Sequence, residues 1–176
     1  MAVPPSPSPS PQPGDGLLSP MALAALALLV LNDHVFKIHW PGGWTGKLSD
    51  VSGLLFFPLF LQGAWEWINL ATGRYRGPSM TTLNAACGVT AFAFILVQLW
   101  PPAGEAYRWG LGLGQWPWYA IQRIGAELPP VRPVQLVADP TDLFALPAVG
   151  AAYWIGRGRA SESRPKGRKG QIHPES

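Results

Sequence analysis

A chain of 176 residues that is 48% apolar, only 13% charged and has a mean hydropathy of +0.12 carries too little charge for a water-soluble domain, in which about a quarter of residues are charged. The charges are also segregated: residues 17–31, 77–104 and 143–156 carry none, and 51–73 carry Glu66 alone. A soluble globular enzyme is excluded on this pattern, nucleic acid is excluded as a partner because the basic residues flank apolar runs or sit in a tail, and the single Cys87 excludes an internal disulfide.

Uncharged runs close to the ~20 residues that cross ~30 Å of hydrocarbon read as membrane spans. The expected fold is therefore all-α and polytopic, with four transmembrane helices at about 17–36, 50–70, 81–100 and 140–156, within a membrane domain of residues 17–157. Ahead of it, residues 1–16 form a Pro/Ser tract that cannot pack a core, so a disordered tail is expected. The tract lacks the positive start of a secretory signal and no Ala-x-Ala site follows the apolar run, so the first span is expected to be a retained anchor.

Span one has Pro20 in its first turn, where a missing N–H costs least, and is expected to end in Asn32-Asp33-His34. Span two is expected to start at Ser49 or Asp50, to bend at Pro58, and to place Trp65 and Trp67 at an interface with Glu66 beside them. Span three is closed by Pro101-Pro102. Residues 103–126 are rich in Trp and Tyr but broken by Gly, Pro117, Arg108 and Arg123, a pattern of an interfacial or re-entrant helix rather than a span. A Pro-rich connector, 127–138, leads to span four, which opens on Asp139-Pro140-Thr141-Asp142 and contains Pro147. Residues 158–176 make a basic, disordered tail.

Orientation follows from Lys and Arg. With the amino terminus inside, the inner segments hold eight (Arg74, Arg76, Arg157, Arg159, Arg164, Lys166, Arg168, Lys169) and the outer loops five (Lys37, Lys47, Arg108, Arg123, Arg132). The positive-inside rule then puts both termini in the cytoplasm and the protein in the inner membrane. The end of span one and the starts of spans two and four consequently share the outer side. Asp33, Asp50, Asp139 and Asp142, four of the ten acidic residues, lie there with His34, His39 and Lys47.

Each has a plain structural role beside a chemical one. Asp139, Pro140 and Asp142 match an N-cap, N1 and N3 of a helix, and Ser49 with Asp50 match a second cap. Asp33 is harder to explain, because an acid at a helix C-terminus opposes the dipole, so a partner is expected in Lys47, in His34 or in a metal ion. His34 also reads as an interfacial His on a loop carbonyl, and His39 as exposed beside Trp40. The chemical reading assigns Asp33, His34, Lys47 and Asp50 to catalysis, with His34 or Asp50 as general base and Lys47 steadying an anion. It assigns Asp33, His34, Asp50, Asp139 and Asp142 to a divalent cation that activates water against a lipid ester or phosphoester. Thr-Gly-Lys47-Leu-Ser-Asp lacks the first Gly and the strand of a phosphate-binding loop, and no Gly-x-Ser-x-Gly turn supplies a nucleophile.

Leu-Asn32-Asp33-His34, Thr-Gly-Lys47-Leu-Ser49-Asp50-Val-Ser-Gly-Leu-Leu-Phe-Phe-Pro-Leu and Asp139-Pro-Thr-Asp142-Leu-Phe-Ala-Leu-Pro together resemble a family of small, uncharacterised multi-pass membrane proteins of bacteria. The resemblance covers 31–61 and 139–147, roughly a quarter of the chain. It implies a membrane fold and a polar cluster at Asp33, His34, Lys47, Asp50, Asp139 and Asp142, and no substrate. Two functional classes follow: a structural or accessory membrane component, whose cluster is a network of caps and ion pairs, or a small metal-dependent membrane hydrolase or cation-binding protein. Besides the lipid bilayer, either would suit association with itself or a membrane-protein partner, for which Gly63, Gly88 and Gly150 offer close-packing surfaces.

Overall fold

The structure, a computed structural model, describes residues 12–40 and 42–162, and these are helical without a strand. Helix α1 (Pro20–Leu31) is capped by Ser19, whose Oγ accepts from the Ala22 N–H at 3.2 Å, and Pro20 sits where no donor is needed. Asn32-Asp33-His34 does not end it. The helix widens into a π turn (Asn32–Phe36) and runs on through α2 (Lys37–His39), so one apolar helical run extends over Pro20–His39. Wide π turns let a helix continue through residues that are poor α-formers.

Helix α3 (Gly43–Ala71) starts well before Ser49. Thr45 opens it, donating Oγ to the Gly42 carbonyl at 2.7 Å, and Trp44 packs on Phe36 across the turn at 6.1 Å between ring centroids. Ser49 and Asp50 consequently lie in the second turn, free of any capping role. At 29 residues α3 is about 44 Å long, which exceeds the ~30 Å hydrocarbon core by two to three turns. Helix α4 (Met80–Leu99) follows a short loop. Among the described residues, Pro20–His39, α3 and α4 are the three helices long and apolar enough to cross a membrane. Their outward surface is apolar too, with Leu23, Phe57, Phe60, Val89 and Phe92 exposed, which suits a chain solvated by lipid. Three such helices suggest a membrane protein.

Pro101-Pro102 closes α4 as expected and also begins α5 (Pro101–Ile121), a continuous helix that carries Pro117 and falls outside the membrane-length apolar set. A 3₁₀ turn (Pro140–Ala145) precedes α6 (Pro147–Glu162), so Pro147 begins a helix rather than interrupting one. Sixteen residues are fewer than the ~20 that span a bilayer.

Helix α3 is the centre, packing on α1, α4 and α6. Between them lie Ala22, Leu54, Leu59, Leu83, Ala148 and Ala152. Gly156 of α6 rests on Leu83, a Cβ there meeting Leu83 Cδ1 at 2.6 Å. Small residues matter where the outside is as apolar as the inside, because close packing must then supply what hydrophobic transfer does not. Residues 12–16 belong to the expected loose tail and 17–18 to the expected first span, but together they form turns against α3: Gly14 and Leu17 lie on Gly63, and the Gly14 N–H donates to Glu66 Oε2 at 2.9 Å. Glu66 is buried, with Gln62 Nε2 on its other oxygen at 2.9 Å, and a carboxylate so placed needs donors from the chain itself. Of the expected basic tail over 158–176, residues 158–162 instead complete α6, and 163–176, like 1–11, lie outside the described residues.

Helix α5 packs mainly on α4 and is backed along its length by the Pro-rich connector. Gly104 adjoins Leu136; Arg108 Nε donates to the Val134 carbonyl at 3.0 Å while the Val134 N–H donates to the Arg108 carbonyl at 3.1 Å; Gly112 meets Arg132; and Trp116 Nε1 donates to the Pro129 carbonyl at 2.7 Å. The register has a simple origin, because four helical residues and two residues of extended, polyproline-type chain both advance about 6 Å. Gly112 is the notch that permits it: a Cβ there would collide with the Arg132 carbonyl. Gly112→Ala should therefore lift the connector from α5 at a cost of about 1–3 kcal/mol, read as faster proteolysis between residues 122 and 138 with the α1, α3 and α4 segments unaffected.

Candidate functional site

The polar cluster assembles at the end of the bundle where α3 begins, and two buried amides organise it. Asn32, fully enclosed in the π turn, donates both amide hydrogens to α3: to the Thr45 carbonyl at 2.7 Å and to Ser49 Oγ at 2.7 Å. Ser49 passes its own hydroxyl hydrogen to Asp33 Oδ1 at 2.8 Å. Gln98, buried at the end of α4, donates Nε2 to Asp142 Oδ2 at 3.3 Å and accepts the Asp139 N–H on Oε1 at 3.1 Å. One amide joins the first helix to α3, and the other joins α4 to the 3₁₀ turn. A buried amide left without these partners would cost about 1–3 kcal/mol.

The charges sit outside these amides. Lys47 Nζ donates to Thr141 Oγ1 at 2.6 Å and Asp142 Oδ1 at 2.8 Å, with Asp139 Oδ2 at 4.0 Å, so α3 grips the 3₁₀ turn directly. Asp142 is only 12% exposed in its side chain, while Lys47 is 45% exposed. Asp33 pairs with Lys37 at 2.7 Å, one turn on along the same helix. This corrects the expected partners of Asp33: the helix does not stop at Asp33, so the i,i+4 position carries its cation, in the acid-first order that favours such pairs. Lys47 is taken by the other half of the cluster.

The expected metal set does not converge. Among the described residues no three His, Cys, Asp or Glu side chains gather as ligands. Asp33 and Asp142 are held by lysines, His34 is exposed and its Nδ1 lies 3.0 Å from the Val30 carbonyl of its own helix, and His39 is exposed beside the Trp40 ring. Of the four residues expected to be catalytic, Asp33 and Lys47 are ion-paired and His34 is turned away. Asp50 differs. It is half-buried, and among the described residues its carboxyl makes no hydrogen bond or ion pair.

Asp139 is the cap its sequence context implies: Oδ1 accepts from the Thr141 N–H at 2.8 Å. Asp142 is no cap, since its carboxylate turns to Lys47 and Gln98. The Thr141 backbone N–H, and then its hydroxyl and Lys47, hold the Asp139 carboxyl below the usual aspartate range. Asn32 and Gln98 were missed by sequence reasoning. An amide inside an apolar helix was their only signal, and for Gln98 it reads equally as the end of a span.

Comparison with protein-family models, with curated proteins and with solved structures finds no match. The likeness of 31–61 and 139–147 to small bacterial membrane proteins thus rests on those motifs alone.

Because the folded state lowers the Asp139 carboxyl, its contribution is present above the ordinary aspartate value and is lost as pH falls through the lowered one. Acidification below about pH 4 should destabilise the protein in detergent, and Asp139→Asn should flatten that part of the melting-temperature profile while leaving the neutral region's slope unchanged.

Proposed function

We propose that this chain is a structural or accessory component of the bacterial inner membrane, with both termini cytoplasmic. Four crossings are made by the Pro20–His39 run, by α3, by α4 and by the 3₁₀ turn together with α6, and α5 lies in the outer interface. The outward-facing Asp/His/Lys cluster locks the outer ends of these helices. What carries this reading is that the donors and paired charges of the cluster are spent on one another: the Asn32 amide hydrogens on Thr45 and Ser49, Asp33 on Lys37 and Ser49, Gln98 on Asp142 and Asp139, Lys47 on Thr141 and Asp142, with the buried Asn32 Oδ1 the one amide atom of the cluster left without a partner among the described residues. Catalytic groups are commonly left poised with unspent capacity and shifted protonation, whereas groups that hold helices together are satisfied where they stand.

A second reading, a cation- or headgroup-handling hydrolase, draws on Asp50, whose half-buried carboxyl has no direct partner among the described residues. The two readings separate on thermal melts of the full chain in neutral detergent, with Mg²⁺, Mn²⁺, Zn²⁺ or a chelator, for the wild type, Asp50→Asn and Lys47→Gln. The structural reading expects Lys47→Gln to melt lower than the wild type, Asp50→Asn to melt near it, and no variant to respond to cation or chelator. A cation-dependent rise in the wild type that Asp50→Asn abolishes would replace it with the second reading.

A further inference from the structure

Between the carboxyl-terminal half of α5 and the returning connector lies a cleft of about 660 Å³. It is remote from the cluster in sequence and shares no lining residue with it. Two arginines, Arg123 and Arg132, and one carboxylate, Glu127, stand on its lining, with Trp116, Tyr119 and Gln115. Among the described residues neither guanidinium has a hydrogen bond or ion pair, and neither has Glu127. The other arginine of this hairpin, Arg108, is fully engaged with Glu105 and the Val134 carbonyl. A cleft that leaves two forked cations unspent is electrostatically complementary to an anion with several acceptor oxygens. Its lining also carries apolar and aromatic groups, with Tyr119 and Leu128 exposed, and the hairpin departs directly from the end of α4, a helix of membrane length. Trp and Tyr prefer headgroup depth, where an anionic phosphate sits above an acyl chain.

We propose that this cleft binds the phosphodiester headgroup of an anionic membrane lipid, Arg123 and Arg132 taking the phosphate oxygens and the Trp116 and Tyr119 rings bordering the glycerol. The Gly112 notch serves the site, because it keeps the connector, and with it Arg132, against α5. The site rests on the membrane reading above but not on the role given to the polar cluster.

The test uses the full chain in neutral detergent, titrated with short-chain phosphatidylglycerol, short-chain phosphatidylcholine and inorganic phosphate, with bound lipid counted by native mass spectrometry and affinity taken from the titration. Wild type should bind one phosphatidylglycerol saturably. Phosphatidylcholine should bind about tenfold more weakly or worse, inorganic phosphate should not compete, and Arg123→Gln with Arg132→Gln should weaken phosphatidylglycerol about tenfold or more. Both arginines are exposed, and an unchanged melting temperature without lipid checks that the double variant is folded. Arg157→Gln, at an arginine stacked on Trp154 and away from the cleft, should bind as wild type does. Equal binding of the two lipids, or binding indifferent to the double variant, overturns the proposal. Competition by inorganic phosphate at matching affinity assigns the cleft to a soluble phosphate ester and overturns the lipid. Recovery of the protein in the soluble rather than the membrane fraction is a separate result, and would overturn the membrane reading itself.

Discussion

An amide set between apolar helices has to find its partners inside the protein, and the way Asn32 does so determines how the end of this molecule where α3 begins is built. Its side chain is fully enclosed and spends both hydrogens on α3, one on a backbone carbonyl and one on Ser49. That pair of bonds fixes the rotation of the first helix against the central one. It also sets Ser49 to orient Asp33, which in turn receives Lys37. Gln98 repeats the device elsewhere in the cluster, joining α4 to the turn that carries Asp139 and Asp142. Where helices carry apolar outward faces, as the three of membrane length do here, hydrophobic transfer does little to bring them together, and such ties decide register and rotation while small-residue packing supplies contact.

The length of α3 explains why the charges lie where they do. A helix of about 44 Å cannot be contained in ~30 Å of hydrocarbon. Its second turn therefore carries Lys47 to the level of the 3₁₀ turn, where it meets Thr141 and Asp142. The other end of the bundle has its own buried polar group. There Glu66 is served by Gln62 and by the backbone of Gly14, so the amino-terminal turns become part of the fold.

Much of this was legible from the chain. Segregated charge gives the all-helical membrane class, and Asp139-Pro140 gives a capped helical start because both residues act through their immediate neighbours. What was not legible depends on partners far along the chain. Asn32 meets residues 13 and 17 positions on, and Gln98 meets residues 41 and 44 positions on, distances at which spacing carries no signal. Asp33 misled for a local reason: Asn-Asp-His reads as a stop by propensity, and a π turn let the helix run through it, bringing Lys37 into the pairing position. Gly112 was one glycine among several in a broken aromatic segment, and only the approach of the Arg132 carbonyl distinguishes it.

The account's central claim is that the cluster is a structural tie organised by buried amides, and a double-mutant cycle between Asn32→Ala and Ser49→Ala, measured by reversible unfolding in detergent, tests it most directly. Each single variant should be destabilised, and the pair should be coupled by about 1 kcal/mol, the size of a good interhelical hydrogen bond in a membrane protein. Additive effects, with a coupling near zero, would contradict the claim and leave the contact between the first helix and α3 to packing alone.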